Sequence, residues 1–562
     1  MRALTLGRSA AAMPRPGAMR AATLAGLVLL LCACSSTSPR PRRRPLFNDP
    51  ALRTQLRTLS SDRFEGRRPG TAGAAAAVDY LVAQLRRFGL KPGNGASYLQ
   101  AVPLVEVTPS AVRLSVSRAG GRPWSIAAVS QMALWTPRES GAGVLRHSPI
   151  VFAGYGIDAA EAHWNDYAGV DVRGKTVVVL AGEPPAWAAG AGSSARRDLD
   201  RYGLARYKFA QAAQRGAAGV LVVDVGDSAG ESWQAIVNRA AGGILEPPAA
   251  GHSSRVALEG WIRGATARDL FKDAGADFAA AVRRAGRAGF HALPLDLRAD
   301  GAVQSQVRRF TSPNVIAIVA GHRHSREYVV FTAHWDGLGH GAGRERGVIL
   351  PGSVDNASGV AGLLLLAQAF ARAEPRPDRT VVFLATTAGE YGSLGARYYA
   401  AHPLYPLRDT VADIDLEMLR IGGPTRDISS LGLGQSQLDR YLASAAELQG
   451  RVVHGDPEPW RGLFFRSDAQ RFAAHGVPAL YAVGGIDDAA MGPGWGKARL
   501  DDYFAHRYLR AADEYSKAWD LRGTLVDLRL YRDIGMRLAR ARGFPLWNPD
   551  SDYRRRGGAS GG

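Results

Sequence analysis

Between residues 308 and 545 one pattern recurs: a short, mainly apolar run, with stretches of helical character between such runs. The runs at 314–319, 328–332, 380–386 and 479–483 show no sustained alternation of apolar and polar residues, while 411–416 is apolar apart from Asp413 and Asp415. Each therefore predicts a strand covered on both faces. Helices are predicted over 357–373, 395–401 and 525–541. Strands covered on both faces with helices between them predict an α/β fold: a three-layer sandwich around a mostly parallel mixed sheet.

The flanking segments have other textures. Val78, Leu81, Val82, Leu85 and Phe88 fall at helical spacing, and Gly89 and Pro92 stop that helix. Over 145–295, short apolar runs at 150–153, 176–180 and 219–223 are separated by Gly/Asp turns, with a helix-like stretch at 207–215. This predicts a small β-rich or mixed domain. It is expected to be inserted into the α/β core, with the flanking segments sharing one sheet and no sheet running through both parts. The core is then assigned to 47–144 and 296–545, and 546–562 to a disordered tail.

At the N-terminus, Arg20 precedes an apolar run over 21–31 that is too short to span a bilayer comfortably. Leu31-Cys32-Ala33-Cys34-Ser35-Ser36 follows and resembles a bacterial lipobox. That implies a lipoprotein signal peptide over 1–34, acylation of Cys34 and a Ser/Pro/Arg-rich tether over 35–46. The expected location is the cell envelope, outside the cytoplasmic membrane, and the outer membrane in a cell that has two. Both cysteines lie in this segment, so the body has no disulfide and no thiolate metal site. The net charge of +19 comes from an Arg-rich composition spread along the chain. No nucleic-acid motif accompanies it, and nucleic acid is not an expected partner.

In open α/β sheets, ligands bind beyond the carboxyl ends of the strands. There this chain delivers His334 and Asp336, then Asp355 at the start of a helix, then Glu390, then Glu417. Each has an ordinary structural use: His334 as a core histidine, Asp355 as a helix cap, Glu390 as a surface acid. Arriving in this order at successive strand ends, they predict a metal site, because imidazole with carboxylates suits Zn²⁺ and a carboxylate can bridge two ions.

The order resembles the co-catalytic zinc exopeptidase family, which includes bacterial aminopeptidases, glutamate carboxypeptidase II and the transferrin receptor. Ala333-His334-Trp335-Asp336, Asp355-Asn-Ala-Ser-Gly359 and Glu390-Tyr-Gly-Ser-Leu-Gly395 carry the resemblance. Gly154-Tyr155-Gly156, Asp171-Val-Arg-Gly174-Lys175 and Gly216-Ala-Ala-Gly-Val220 are similar to a protease-associated (PA) insertion. The resemblance implies His334 and Glu417 on one zinc, Asp355 as the bridge, Glu390 on a second zinc, and Asp336 orienting His334. It implies a membrane-anchored, extracytoplasmic zinc exopeptidase of aminopeptidase type, with peptides or proteins as substrates.

The chain departs from the family at several positions. Gly389 stands where the family has its general base, and Leu509 where it has the last ligand of the second zinc. Glu417 replaces the usual Asp, while Gly337 and Ala469 stand where relatives often carry His. One tightly held zinc is therefore expected, with the second site short of ligands unless His506 fills the gap. With no second zinc, Glu390 is left uncommitted and available as the base. Gly389→Glu with Leu509→His is expected to restore zinc content and activity. The alternative is a catalytically inactive homologue that binds peptide or protein partners. Aminoacyl transfer, as in glutaminyl cyclase, needs a base and ligands that this chain lacks.

Overall fold

The structure, a computed structural model, describes residues 46–190, 199–226, 230–248 and 255–557. Cys34 and all but the last residue of the tether lie outside the described residues. Helix α1 (Asp49–Leu59) starts at Asn48, whose side chain accepts from the Ala51 amide at 3.0 Å. Helix α2 (Ala72–Arg87) is capped by Thr71 and buries Val78, Leu81 and Leu85, the stripe legible in the sequence. Further along lie α3 (Ala205–Gln214), α4 (Trp233–Ala241), α5 (Gly359–Ala371), α6 (Leu394–Ala401), α7 (Asp468–Ala473), α8 (Pro493–His506) and α9 (Arg522–Arg540). Of the 13 residues of α5, 11 are buried. Residues 353–371 are long and apolar enough to cross a membrane, but this stretch is 83% buried inside the protein as a core helix.

The strands, in chain order, begin with β1 (Leu99–Ser117), β2 (Met132–Trp135), β3 (Ala142–Phe152), β4 (Thr176–Leu180), β5 (Gly219–Asp224) and β6 (Leu258–Arg263). A long strand, β7 (Leu293–Val319), leads into β8 (His324–His334), β9 (Arg379–Thr386), β10 (Thr410–Asp415), β11 (Asp427–Leu431), β12 (Val452–Gly455) and β13 (Ala479–Gly484). They hydrogen-bond in the order β12-β11-β13-β10-β8-β9-β7-β3-β4-β5-β6-β2, with β1 alongside β7. Strands β9, β8, β10 and β13 form one parallel block, and β3, β4, β5 and β6 form another. Antiparallel β7 joins them, pairing with β9 through 315–319 and with β3 through 293–304.

The expected break between two sheets is therefore absent. The physical reason is the length of β7: its 27 residues are shared by both blocks. The apolar cores do separate. One, with Leu81, Phe331, Leu364, Phe383 and Tyr531, lies under the first block. Two others, with Phe152, Leu180 and Phe271 and with Val177, Phe209 and Val220, cover the two faces of the second. The tail also differs from expectation, because residues 546–553 are docked. The Trp547 indole donates to the Gly476 carbonyl at 3.0 Å, and Tyr553 is buried against Trp547 and Phe464.

Candidate metal centre

Parallel registry brings the site together. His334, the last residue of β8, lies opposite Thr386 on β9, while Thr332 lies opposite Asp415 on β10. The residues that follow each strand therefore emerge at one sheet edge. His334 is buried, with Nε2 3.2 Å from Asp355 Oδ1 and Nδ1 3.5 Å from Asp336 Oδ1. Asp336 also accepts from the amides of Gly389 at 2.7 Å and Glu390 at 3.4 Å. One carboxylate thus holds the loop that carries Glu390 and lies beside the imidazole.

The Asp355 loop is held from three sides. Asp513 accepts from the amides of Val354 and Asp355 at 3.0 and 3.1 Å. The Asn356 amide donates to the Leu416 carbonyl at 3.0 Å and accepts from the Met418 amide at 3.1 Å. The fully buried Arg67 donates to the carbonyls of Leu59, Trp335, Pro351 and Gly352. A guanidinium with every carbonyl in place ties the end of β8 to the loop before Asp355.

Glu417 is not arranged as expected. Its Oε1 accepts from the Asp468 amide at 3.2 Å. Among the described residues, the only His/Cys/Asp/Glu trio whose donor atoms all lie within 4.8 Å of one another is Asp415, Glu417 and Asp468. His334 and Asp355 meet as predicted, but Glu417 does not close the triad with them. The methylene it has beyond Asp carries the carboxylate across to the N-terminus of α7. Neither Asp415 nor Asp468 was picked out from the sequence as a site residue. Asp415 could have been, since it lies two residues before Glu417 at a strand end. Asp468 enters only through tertiary packing.

The departures from the family pattern have structural counterparts. A β-carbon on Gly389 would lie 2.3 Å from His334 Cγ and 2.4 Å from its Cβ, so the backbone here is packed against the imidazole. A β-carbon on Gly337 would meet the Gly66 carbonyl at 2.7 Å. Leu509 is buried in an apolar cluster with Leu338, Leu350, Phe504 and Tyr508, bordered by Tyr391 and Met418, the neighbours of Glu390 and Glu417. His506 is exposed on α8 with Nδ1 3.2 Å from Asp502, so it does not replace the missing ligand. The same packing counts against the expected rescue by Gly389→Glu with Leu509→His, because a β-carbon at 389 requires His334 to shift.

His334, Asp355, Glu390 and Glu417 line one cleft of about 1100 Å³. The cleft is also lined from the second block and its helices, through residues such as Trp135, Arg206 and Trp261. Buried negative charge concentrates at the centre. Burial, with Asp468 nearby, pushes the Asp415 carboxyl up to about 8. Burial and Asp415 push Glu417 well above the usual carboxylate range, and burial and Asp355 do the same for Glu390. Burial opposes the charged form of His334, but Asp336 and Asp355 outweigh it and raise its pKa well above the ordinary value. An excess of buried carboxylate over buried cation is relieved by protons or by a metal ion. The chemistry of one imidazole with carboxylates suits a divalent ion, but only His334 and Asp355 meet here, with Glu417 grouped with Asp415 and Asp468. The set around Glu390, with Leu509 in place of a donor, does not fit a second one.

Residues 314–527 match the family described as peptidase family M28. This segment is an M28 peptidase domain. A vacuolar membrane protease from Schizophyllum commune is 30% identical over 106 residues, which is 19% of this chain and 11% of that protein. This chain thus matches about a ninth of the curated relative's length. Among solved structures, an aminopeptidase from Aneurinibacillus sp. strain AM-1 aligns over 89% of this chain and 96% of its own, at 19% identity and a TM-score of 0.51. A zinc aminopeptidase from Bacillus subtilis aligns over 88% and 95%, at 17% identity and a TM-score of 0.46. The first of these likenesses shows that the M28 domain and the second block together share the fold of that aminopeptidase.

Proposed function

We propose that this protein is a zinc-dependent exopeptidase of aminopeptidase type that holds one zinc tightly. The observation that carries the reading is the approach of His334 Nε2 to Asp355 Oδ1 at 3.2 Å, at the strand ends of an M28 domain and on the wall of a large cleft. His334, Asp355 and Glu417 would hold the ion, with Glu417 turning away from the Asp468 amide to join them. When bound, zinc supplies a Lewis acid and lowers the pKa of coordinated water. Asp336 holds the Nδ1 side of the imidazole so that Nε2 faces the cleft. Glu390, which lines the same cleft, would take and return a proton.

The packing of Gly389 on His334 and the apolar setting of Leu509 favour a second reading, a binding protein on the same scaffold with little turnover. The two are separated by aminoacyl-p-nitroanilide hydrolysis with zinc supplied. The peptidase reading expects steady release of p-nitroaniline that disappears in His334→Ala. Release at the level of that variant leaves the binding reading standing.

Residues 145–295 serve in this account as a PA-like insertion whose inner surface completes the cleft. A lipid on Cys34 anchors the protein outside the cytoplasmic membrane, where several acyl chains hold far more firmly than one. Cys34→Ala is expected to move the protein from the membrane to the soluble fraction, and retention in the membrane would sink the anchor.

A further inference from the structure

The second block meets the M28 domain in two contacts of different character. In the first, α4 is seated on the domain. The side-chain amide of Asn238 donates to the Leu509 carbonyl at 2.9 Å, and that of Gln234 to the Ala342 carbonyl at 2.7 Å. Ala235, on the same helix, is buried in the apolar cluster that holds Leu509. In the second contact, residues 200–206 face 459–466. Arg206 donates to the Phe465 carbonyl. Leu204 packs against Gly462, where a β-carbon would lie 2.9 Å from Leu204 Cδ2. Leu204 is only partly buried, on the cluster that contains Phe464, Phe465 and Tyr553.

The segment 546–553 buttresses this second contact from both sides. It is fixed to the M28 domain, where Asn548 Nδ2 donates to the Gly434 carbonyl at 2.7 Å and the Ser551 hydroxyl to Gln435 Oε1 at 2.6 Å. It also reaches the second block, with Asp552 Oδ2 3.3 Å from Arg201 Nη1 in a part-exposed ion pair. Arg201, Leu204, Phe465, Asp552 and Tyr553 all line the cleft that holds the metal centre. At that centre His334 is 4%, Asp355 6% and Glu417 7% exposed. A peptide must reach these groups, so the cleft needs a way to open. Contacts made of part-exposed ion pairs and partly buried side chains open at the least cost.

We propose that the contact of 200–206 with 459–466 is a latch, buttressed by 546–553, that opens to admit peptide to the metal centre while α4 and β7 hold the blocks together. The latch goes beyond the peptidase reading, since a binding protein on the same scaffold needs the same entry.

The test does not depend on catalysis. The native cysteines stand at 32 and 34, so Leu204→Cys puts a single thiol into the body of the protein, at the latch. Its rate of labelling by an aromatic disulfide reagent reports opening. Deleting 546–562 is expected to speed labelling about 10-fold or more, because the burial of Tyr553 is lost. An unchanged rate overturns the proposal. If the shortened chain does not fold, Asp552→Asn removes the ion pair alone. It is expected to speed labelling about 2- to 5-fold, and no change overturns the proposal equally. Leu204→Cys with Gly462→Cys then locks the latch, since Leu204 Cγ lies 3.5 Å from the β-carbon position at Gly462, within disulfide reach. The probe is a dye-labelled peptide amide with a free N-terminus, added to the zinc-supplied protein. Its association is expected to be about 10-fold or more slower in the oxidised form and to recover on reduction, because entry follows the open population. Equal association in the two redox forms, or none in the reduced form, overturns the latch. Hydrolysis of the same peptide is followed in the reduced form. Redox-gated association without hydrolysis removes the peptidase reading and leaves the latch standing.

Discussion

Gly389 shows how a single position governs the centre. Its missing side chain is not a gap waiting to be filled, because the His334 ring occupies that space. Gly389→Ala is expected to cost about 1–3 kcal/mol through overpacking and to weaken zinc binding by displacing the imidazole. Denaturant melts and zinc titration check both effects, and a gain of activity in Gly389→Glu would contradict the packing. The sequence made His334, Asp355, Glu390 and Glu417 legible because strand ends in a parallel sheet emerge at one edge. It could not show which way Glu417 points. That depends on the Asp468 amide, 51 residues away in sequence, which is presented by the start of α7. Arg67 was also illegible, since one arginine among many does not announce four carbonyl partners.

Among the elements, α5 follows directly on the Asp355 loop and is buried along most of its length. Its residues Leu363 to Ala367 are buried without interruption, between the sheet and the helices α1, α2 and α9. Leu366→Ala is expected to cost about 2–5 kcal/mol, seen as a lowered denaturant midpoint with an unchanged slope. A cost below about 1 kcal/mol would mean that the helix is not fixed in the core as described. The strands of the first block were legible because each contains a short, mainly apolar run, even though β10 carries Asp413 and Asp415. Only the last six residues of β7 were, at 314–319. Its earlier part includes Gln304, Ser305, Gln306, Arg308 and Arg309, which reads as loop. What makes it a strand is pairing with β1, about 190 residues earlier.

The whole molecule couples charge at the centre to stability. Asp415 has a folded pKa of about 8 against an ordinary value of 3.8, so the folded state keeps a proton that the unfolded chain releases. Stability from that proton falls as pH rises through this window. The raised pKa of Glu417 acts in the same direction. The raised pKa of His334 does too, since its contribution is lost as pH climbs past the folded value. The metal-free protein should therefore melt at progressively lower temperature between about pH 5 and pH 8. Zinc should restore much of the loss at the alkaline end, because the ion replaces the protons. A melting temperature that is flat or rising over that range would contradict the charge assignment. The central claim, a single competent metal site, is tested most directly by counting zinc with mass spectrometry on the purified protein after dialysis. The account predicts at most one equivalent, lost in His334→Ala. Two tightly held equivalents would contradict it, since the structure offers Glu390 no second strong ligand where Leu509 stands.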